Sequence, residues 1–159
     1  IAGFPNIFLI VKVVYLIGYI VLRKTTFGKK VYAVGSNKKV SMLSGINTDN
    51  IKIKSFMIVG FLTSLAAIMI LSRLGAIQAD TGKGLEFDTI AAVVIGGTSL
   101  YGGEGNILQT IIGVLIIGLI RNFLNLAHID IFWQDFATGA IIVVAVLLDT
   151  LRKRVALKI

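Results

Sequence analysis

The chain has 159 residues, of which 56% are hydrophobic and only 15% charged, against roughly 25% charged in a soluble domain. Sixteen Lys or Arg stand against eight Asp or Glu, a net charge of +8. The charges fall between apolar runs, so a soluble nucleic-acid face is excluded, and the absence of cysteine excludes disulfides and thiolate metal sites. The profile is that of an all-α, polytopic helical membrane protein. The chain opens inside an apolar run at Ile1 with no signal-peptide pattern. It is therefore expected to be a piece of a longer protein, its C-terminal part.

The first predicted span runs from about Pro5 to Leu22, with Pro5 suited to a helix start and Lys12 near the middle. A charge there is costly in lipid, so Lys12 is expected to snorkel or to face another helix. Residues 23–54 then carry eight Lys or Arg (Arg23, Lys24, Lys29, Lys30, Lys38, Lys39, Lys52, Lys54) and one acid, Asp49. Such loops are retained on the cytoplasmic side, which orients the remainder. Thr25, Thr26 and Gly28 read as a break after the helix, and Val31 to Val34 as a short apolar stretch. Ser36 is a plausible N-cap for a short interfacial helix over Asn37–Ser44, with Val40 and Leu43 on one face and Met42 close by. Gly45 is placed as a C′ residue, and Asn47 or Thr48 caps the next helix.

The second span begins near Asp49 and ends at about Arg73, with Gly60 and Ser64 as a small-xxx-small pair. Residues 72–88 form a polar, glycine-bearing loop. Asp80, Glu86 and Asp88 in it lack the alternating spacing of a calcium loop. Thr89 to Leu100 is apolar but short: 12 helical residues span about 18 Å, and Gly96-Gly97 breaks them. The fourth span covers Ile107–Leu126, with Gly113 and Gly118 as packing notches. A short loop, 127–135, carries His128 and Trp133. The fifth span covers Phe136 to about Leu151, before Arg152, Lys153, Arg154 and Lys158. For loop 23–54 and this basic tail both to be cytoplasmic, the broken segment must count as a crossing, giving five.

The glycine run from Gly96 to Gly105 does not fit a P-loop, because Gly102 is followed by Gly103 and Glu104, where Lys and Ser or Thr are required. His128 has no metal-ligand partners at useful spacing. No catalytic constellation, metal site or cofactor motif emerges.

Three stretches carry a resemblance. Thr26-Phe27-Gly28 through Tyr32-Ala33-Val34-Gly35, followed by Leu43-Ser44-Gly45-Ile46-Asn47 through Lys52, resembles the cytoplasmic loop of the ribose-type sugar permeases, membrane subunits of bacterial ABC importers. Asp88 to Leu100 (DTIAAVVIGGTSL) with Gly102-Gly103-Glu104-Gly105 resembles a second signature of that family, and Trp133-Gln134 with Ala145 to Asp149 a third. The resemblance implies a permease of about ten helices in the bacterial inner membrane, with residues 1–159 as its C-terminal half and 23–54 as its coupling loop. It also implies pairing with a second permease subunit, a separate ABC ATPase, and an extracytoplasmic sugar-binding protein. The missing first half and Lys12 depart from the family pattern.

Within the loop, Ser36 to Ile46 matches the coupling helix, with Ser36, Lys38, Lys39, Val40, Met42, Leu43, Gly45 and Ile46 as the residues that meet the ATPase. The residues themselves agree: a short helix showing Val40, Met42 and Leu43 needs a partner groove, with Lys38 and Lys39 facing acidic rims, or else it rests on lipid headgroups. Thr98, Ser99, Asn122 and Asn125 are polar, uncharged candidates for the translocation path, able to bond sugar hydroxyls or other helices. The reading is a monosaccharide permease. Its rivals are an ABC permease for branched-chain amino acids or another small solute, an ion-coupled secondary transporter, and a membrane enzyme.

Overall fold

The structure is a computed structural model that describes residues 6–76, 78 and 81–156, with only the backbone described at 6, 148 and 151–156. Among the described residues every regular element is helical: α1 (Asn6–Lys24), α2 (Thr26–Ser36), α3 (Lys38–Leu43), α4 (Thr48–Leu74), α5 (Leu85–Ile95), α6 (Ile107–Leu126) and α7 (Ile131–Ala156). They group into two compact units, Ile1–Thr81 and Gly82–Ile159. Pro5, Asp80 and Lys158 lie outside the described residues.

In the first unit α1 is 19 residues and α4 is 27, or roughly 28 and 40 Å. α4 and α6 are long and apolar enough to cross a membrane. Their surfaces agree: Phe56, Phe61 and Ile68 on α4 are 75, 70 and 63% exposed, and Leu119 and Phe123 on α6 are 68 and 69%. So much contiguous apolar surface is untenable in water and natural against lipid. Lys12 is exposed on α1. An apolar cleft of about 340 Å³ separates α1 from α4, lined among others by Val11, Val14, Tyr15, Leu62, Ala66 and Met69. On α4, Ser64 Oγ donates back to the Gly60 carbonyl at 2.9 Å. Nothing lies within 4 Å of a Cβ built on Gly60, so that small-residue face is open.

The loop between α1 and α4 differs from the sequence expectation. The expected break at Thr25–Gly28 is confined to one residue, and the stretch expected to be merely apolar is a helix, α2. Thr25 is in extended backbone. Its hydroxyl donates to the Val21 carbonyl at 2.6 Å and accepts from the Gly28 amide at 3.4 Å, closing α1 and capping α2 together. Gly28 serves packing, because a Cβ there would lie 2.1 Å from the Leu22 carbonyl oxygen. Only glycine lets α2 fold back this tightly on the end of α1.

The second unit is built on close α5–α6 contact. A Cβ on Gly113 would lie 1.9 Å from the Ala92 carbonyl oxygen, and one on Gly96 2.7 Å from the Thr110 Cα. Ala91, Ala92 and Ile117 form the buried core, with Ile95 and Ile142 packed against it. Gly118, expected as a second notch, has nothing within 4 Å. α5 starts four residues earlier than expected, at Leu85, and stops at Ile95. The end is a Schellman turn: Gly97, at φ +78°, donates to the Val94 carbonyl at 2.8 Å and Thr98 to that of Val93 at 3.1 Å. α7 likewise starts earlier than expected, at Ile131. There Asp130 Oδ1 accepts from the Phe132 amide at 2.9 Å and turns the expected loop into a first helical turn.

Direction within this unit follows from its contacts. Arg121, near the end of α6, is ion-paired to Asp88 on α5 and to Asp135 on α7. At the other end Ser99 Oγ donates to Asp149 Oδ2 at 2.9 Å. Thus α5 runs antiparallel to α6 and parallel to α7. Asp135 to Asp149 is about 21 Å of helix rise. Asp88 to Ser99 covers the same interval as a half-helix continued by non-helical backbone. The broken segment therefore runs the length of its neighbours and does not double back.

Candidate functional site

The basic loop folds into an elbow whose tip is α3. Ser36, expected to cap this helix, is instead the last residue of α2. Asn37 takes the cap: its backbone is extended, and its side-chain Oδ1 accepts from the Val40 amide at 3.1 Å. Its own amide donates to the Ala33 carbonyl at 3.1 Å. One residue thus closes α2 and opens α3. Asparagine outdoes serine here because its position combines extended backbone with an oxygen that reaches the third residue on.

The far end of α3 is a Schellman turn. Gly45 sits at φ +79° and donates to the Met42 carbonyl at 3.0 Å, and Ile46 donates to that of Ser41 at 3.0 Å. The C′ reading of Gly45 therefore holds in full. Asn47, rather than Thr48, then caps α4 by accepting from the Asn50 amide at 3.0 Å. The inner face of the elbow is Ser41, Thr48 and Ile51, all buried. The outer face is Val40 and Met42, each more than half exposed, and Leu43 at 89%. Two ends fixed by backbone bonds hold three apolar side chains out in the open. Lys38 Nζ lies 3.6 Å from Asp49 Oδ1, so this lysine, expected to face a partner, spans α3 to the start of α4. Lys39 is exposed.

The four path candidates lie at two ends of the α5–α6 pair. Thr98 and Ser99 follow α5, near the start of α6. Ser99 is buried, and Thr98 packs against Gly105. Asn122 and Asn125 lie on the last turns of α6, roughly 22–27 Å away along that helix. Asn125 Oδ1 accepts from Gln134 Nε2 at 3.0 Å, and the same nitrogen donates to the Ile129 carbonyl at 2.9 Å. Asn122 is exposed. The backbone after α5 is tied into a turn: the Ser99 amide donates to the Glu104 carbonyl and the Gly102 amide to that of Ser99, each at 3.1 Å. The Asp88–Arg121–Asp135 ion group is missed by sequence reasoning. Contacts of Arg121 with acids on two other helices, 33 and 14 residues away in sequence, carry no local signal.

No group of three or more His, Cys, Asp or Glu suited to a metal ion exists among the described residues.

The profile of the family described as branched-chain amino acid transport system / permease component matches residues 1–146. The chain belongs to this permease family. The permease is 44% identical over 147 residues to the ribose import permease protein of Haemophilus influenzae, covering 92% of this chain and 46% of that protein. It is 43% identical to the ribose import permease protein of Bacillus subtilis over the same shares. It is also 40% identical to the xylose transport system permease protein of Haemophilus influenzae, covering 96% of this chain and 40% of that protein. The permease chain thus spans about half the length of the curated relatives it matches. No solved structure matches it.

Proposed function

We propose that this chain is part of the transmembrane permease subunit of an ATP-driven ABC importer for a monosaccharide of the ribose type, and that it forms that subunit's C-terminal half in the bacterial inner membrane. Loop 23–54 and the basic C-terminus face the cytoplasm. ATP is hydrolysed on a separate ATPase subunit, a second permease subunit completes the pathway, and an extracytoplasmic binding protein supplies the sugar. The observation that carries the reading is α3: a rigidly capped helix with Val40, Met42 and Leu43 exposed on a cationic elbow. It has the chemistry of a plug for an apolar cleft with acidic rims. Similarity to permeases named for ribose and xylose supports a sugar. The family description, which names branched-chain amino acids, keeps those solutes as the second reading.

In this mechanism ATP binding favours one of two conformations of the transporter. Motion of the ATPase is delivered to α3 and, through the Asn37 and Asn47 caps, to α2 and α4. Ser36, Lys38, Lys39, Val40, Met42, Leu43, Gly45 and Ile46 form the contact. Thr98, Ser99, Asn122 and Asn125 are proposed for the path, with Asn122 the first to substitute because its side chain is exposed.

The test is a pair of variants in the assembled transporter, Val40→Asp with Leu43→Asp, and Gly45→Pro. Both leave α1 and α4 apolar and inserted. The expected result is sugar uptake lost while the ATPase hydrolyses ATP at its unstimulated rate. Normal uptake with normal stimulation would reject the coupling role. An amino acid as the transported solute, with coupling lost as expected, would reject the sugar assignment alone.

A further inference from the structure

We propose that the corner where α1 meets α2 binds the phosphate headgroup of an anionic phospholipid through Arg23, Lys24, Lys29 and Lys30. These four cations fall within eight residues and are all exposed. The turn between them is closed by the Thr25 bonds and by the approach of Gly28 to Leu22. Arg23 and Lys24 close the last turn of α1, and Lys29 and Lys30 stand in the first turns of α2. The reversal therefore brings two pairs of cations to one place.

Among the described residues no acid neutralises them. Asp49 is the one acid in residues 1–79, and it lies against Lys38. Among the described residues none of the four cations is ion-paired. Four like charges within eight residues of a tight turn repel one another, and a bound phosphate anion relieves that repulsion. Arginine adds a planar fork suited to phosphate oxygens.

Position selects lipid over a protein partner. The turns of α1 leading to the corner expose Leu16, Ile17 and Ile20 at 59, 54 and 46%, a surface for acyl chains. Arg23 stacks on the Tyr19 ring at 5.8 Å from its centroid, the amphipathic pairing of a membrane–water boundary. The apolar knob offered to a protein is elsewhere, on α3. A lipid with its tails along α1 places its phosphate at the corner. Basic clusters beside a membrane helix attract anionic headgroups in this way.

The experiment uses the intact permease in mild detergent, titrated with phosphatidylglycerol or phosphatidylcholine and read by native mass spectrometry. The proposal expects preferential retention of phosphatidylglycerol. It expects affinity to fall about fivefold for each of Lys29→Gln and Lys30→Gln, and more than tenfold for Arg23→Gln, Lys24→Gln, Lys29→Gln and Lys30→Gln combined. Lys39→Gln, Lys52→Gln and Lys54→Gln combined remove three charges elsewhere in the loop and should cost less than threefold. The charge-keeping changes Lys29→Arg and Lys30→Arg should retain binding. Equal losses from corner and control variants would overturn the site. So would unchanged phosphatidylglycerol retention, including the case in which the corner variants shed a protein subunit but keep the lipid. None of these readouts depends on which solute is carried.

Discussion

Gly28→Ala is the sharpest perturbation of the elbow. The added methyl would sit 2.1 Å from the Leu22 carbonyl oxygen and 2.5 Å from its carbonyl carbon, more than about 1 Å inside van der Waals contact. Backbone atoms cannot step aside as a side chain can, so α2 must retreat from α1. Overpacking of this kind costs about 1–3 kcal/mol, a roughly 5- to 150-fold fall in the population holding the native corner. Because Asn37 both closes α2 and caps α3, α3 moves with it. Gly60→Ala is the matched control: it adds the same methyl to a helix where nothing lies within 4 Å, and it should be neutral or stabilise slightly. The assay is sugar uptake per ATP hydrolysed in proteoliposomes of the assembled transporter. The expected result is a fall in that ratio for Gly28→Ala and an unchanged ratio for Gly60→Ala. Wild-type coupling in Gly28→Ala would refute the claim that tight α1–α2 packing positions α3.

Other perturbations probe separate parts. Asn37→Ala should destabilise α3 by about 1 kcal/mol through loss of its cap, read as faster amide exchange at Val40 with exchange in α4 unchanged. Arg121→Gln leaves Asp88, a mostly buried carboxylate, without its cation. It should cost about 2–4 kcal/mol and lower the melting temperature in detergent, with the pairing of Asp88→Asn and Arg121→Gln recovering part of the loss. His128 occupies a left-handed conformation at φ +53°, as the C′ residue of a Schellman turn after α6, donating to the Asn125 carbonyl at 3.1 Å. His128→Gly should stabilise by about 0.5–1 kcal/mol, visible as a higher melting temperature.

The long spans were legible because lipid imposes an uninterrupted apolar run, and Ile107–Leu126 is bounded in the structure where its caps place it. The broken segment was legible as a break, since Gly96-Gly97 has no other reading at the end of an apolar run. Its course was legible only indirectly, through the parity of the two basic segments; the tie from Ser99 to Asp149, between residues 50 apart, carries no local signal. α2 was missed for a different reason. Thr25, Thr26 and Gly28 are turn residues by composition, yet Gly28 is there to admit Leu22, and only tertiary contact reveals that. Ser36 and Asn37 are both good caps, and the choice between them depends on where α2 ends. Of the elbow residues, Gly45 was readable because a left-handed C′ position demands glycine. The pairing of Lys38 with Asp49 was not, because it requires α3 to lie against the start of α4.

The central claim is that α3 carries its exposed apolar tip into the ATPase on the cytoplasmic side. The chain has no cysteine, so Leu43→Cys supplies its one thiol at the most exposed apolar position among the described residues, to be labelled with a membrane-impermeant reagent in oriented vesicles. The account predicts reaction from the cytoplasmic face alone, and protection of that thiol when the ATPase subunit is assembled. Labelling from the outside, or equal labelling with and without the ATPase, would contradict it.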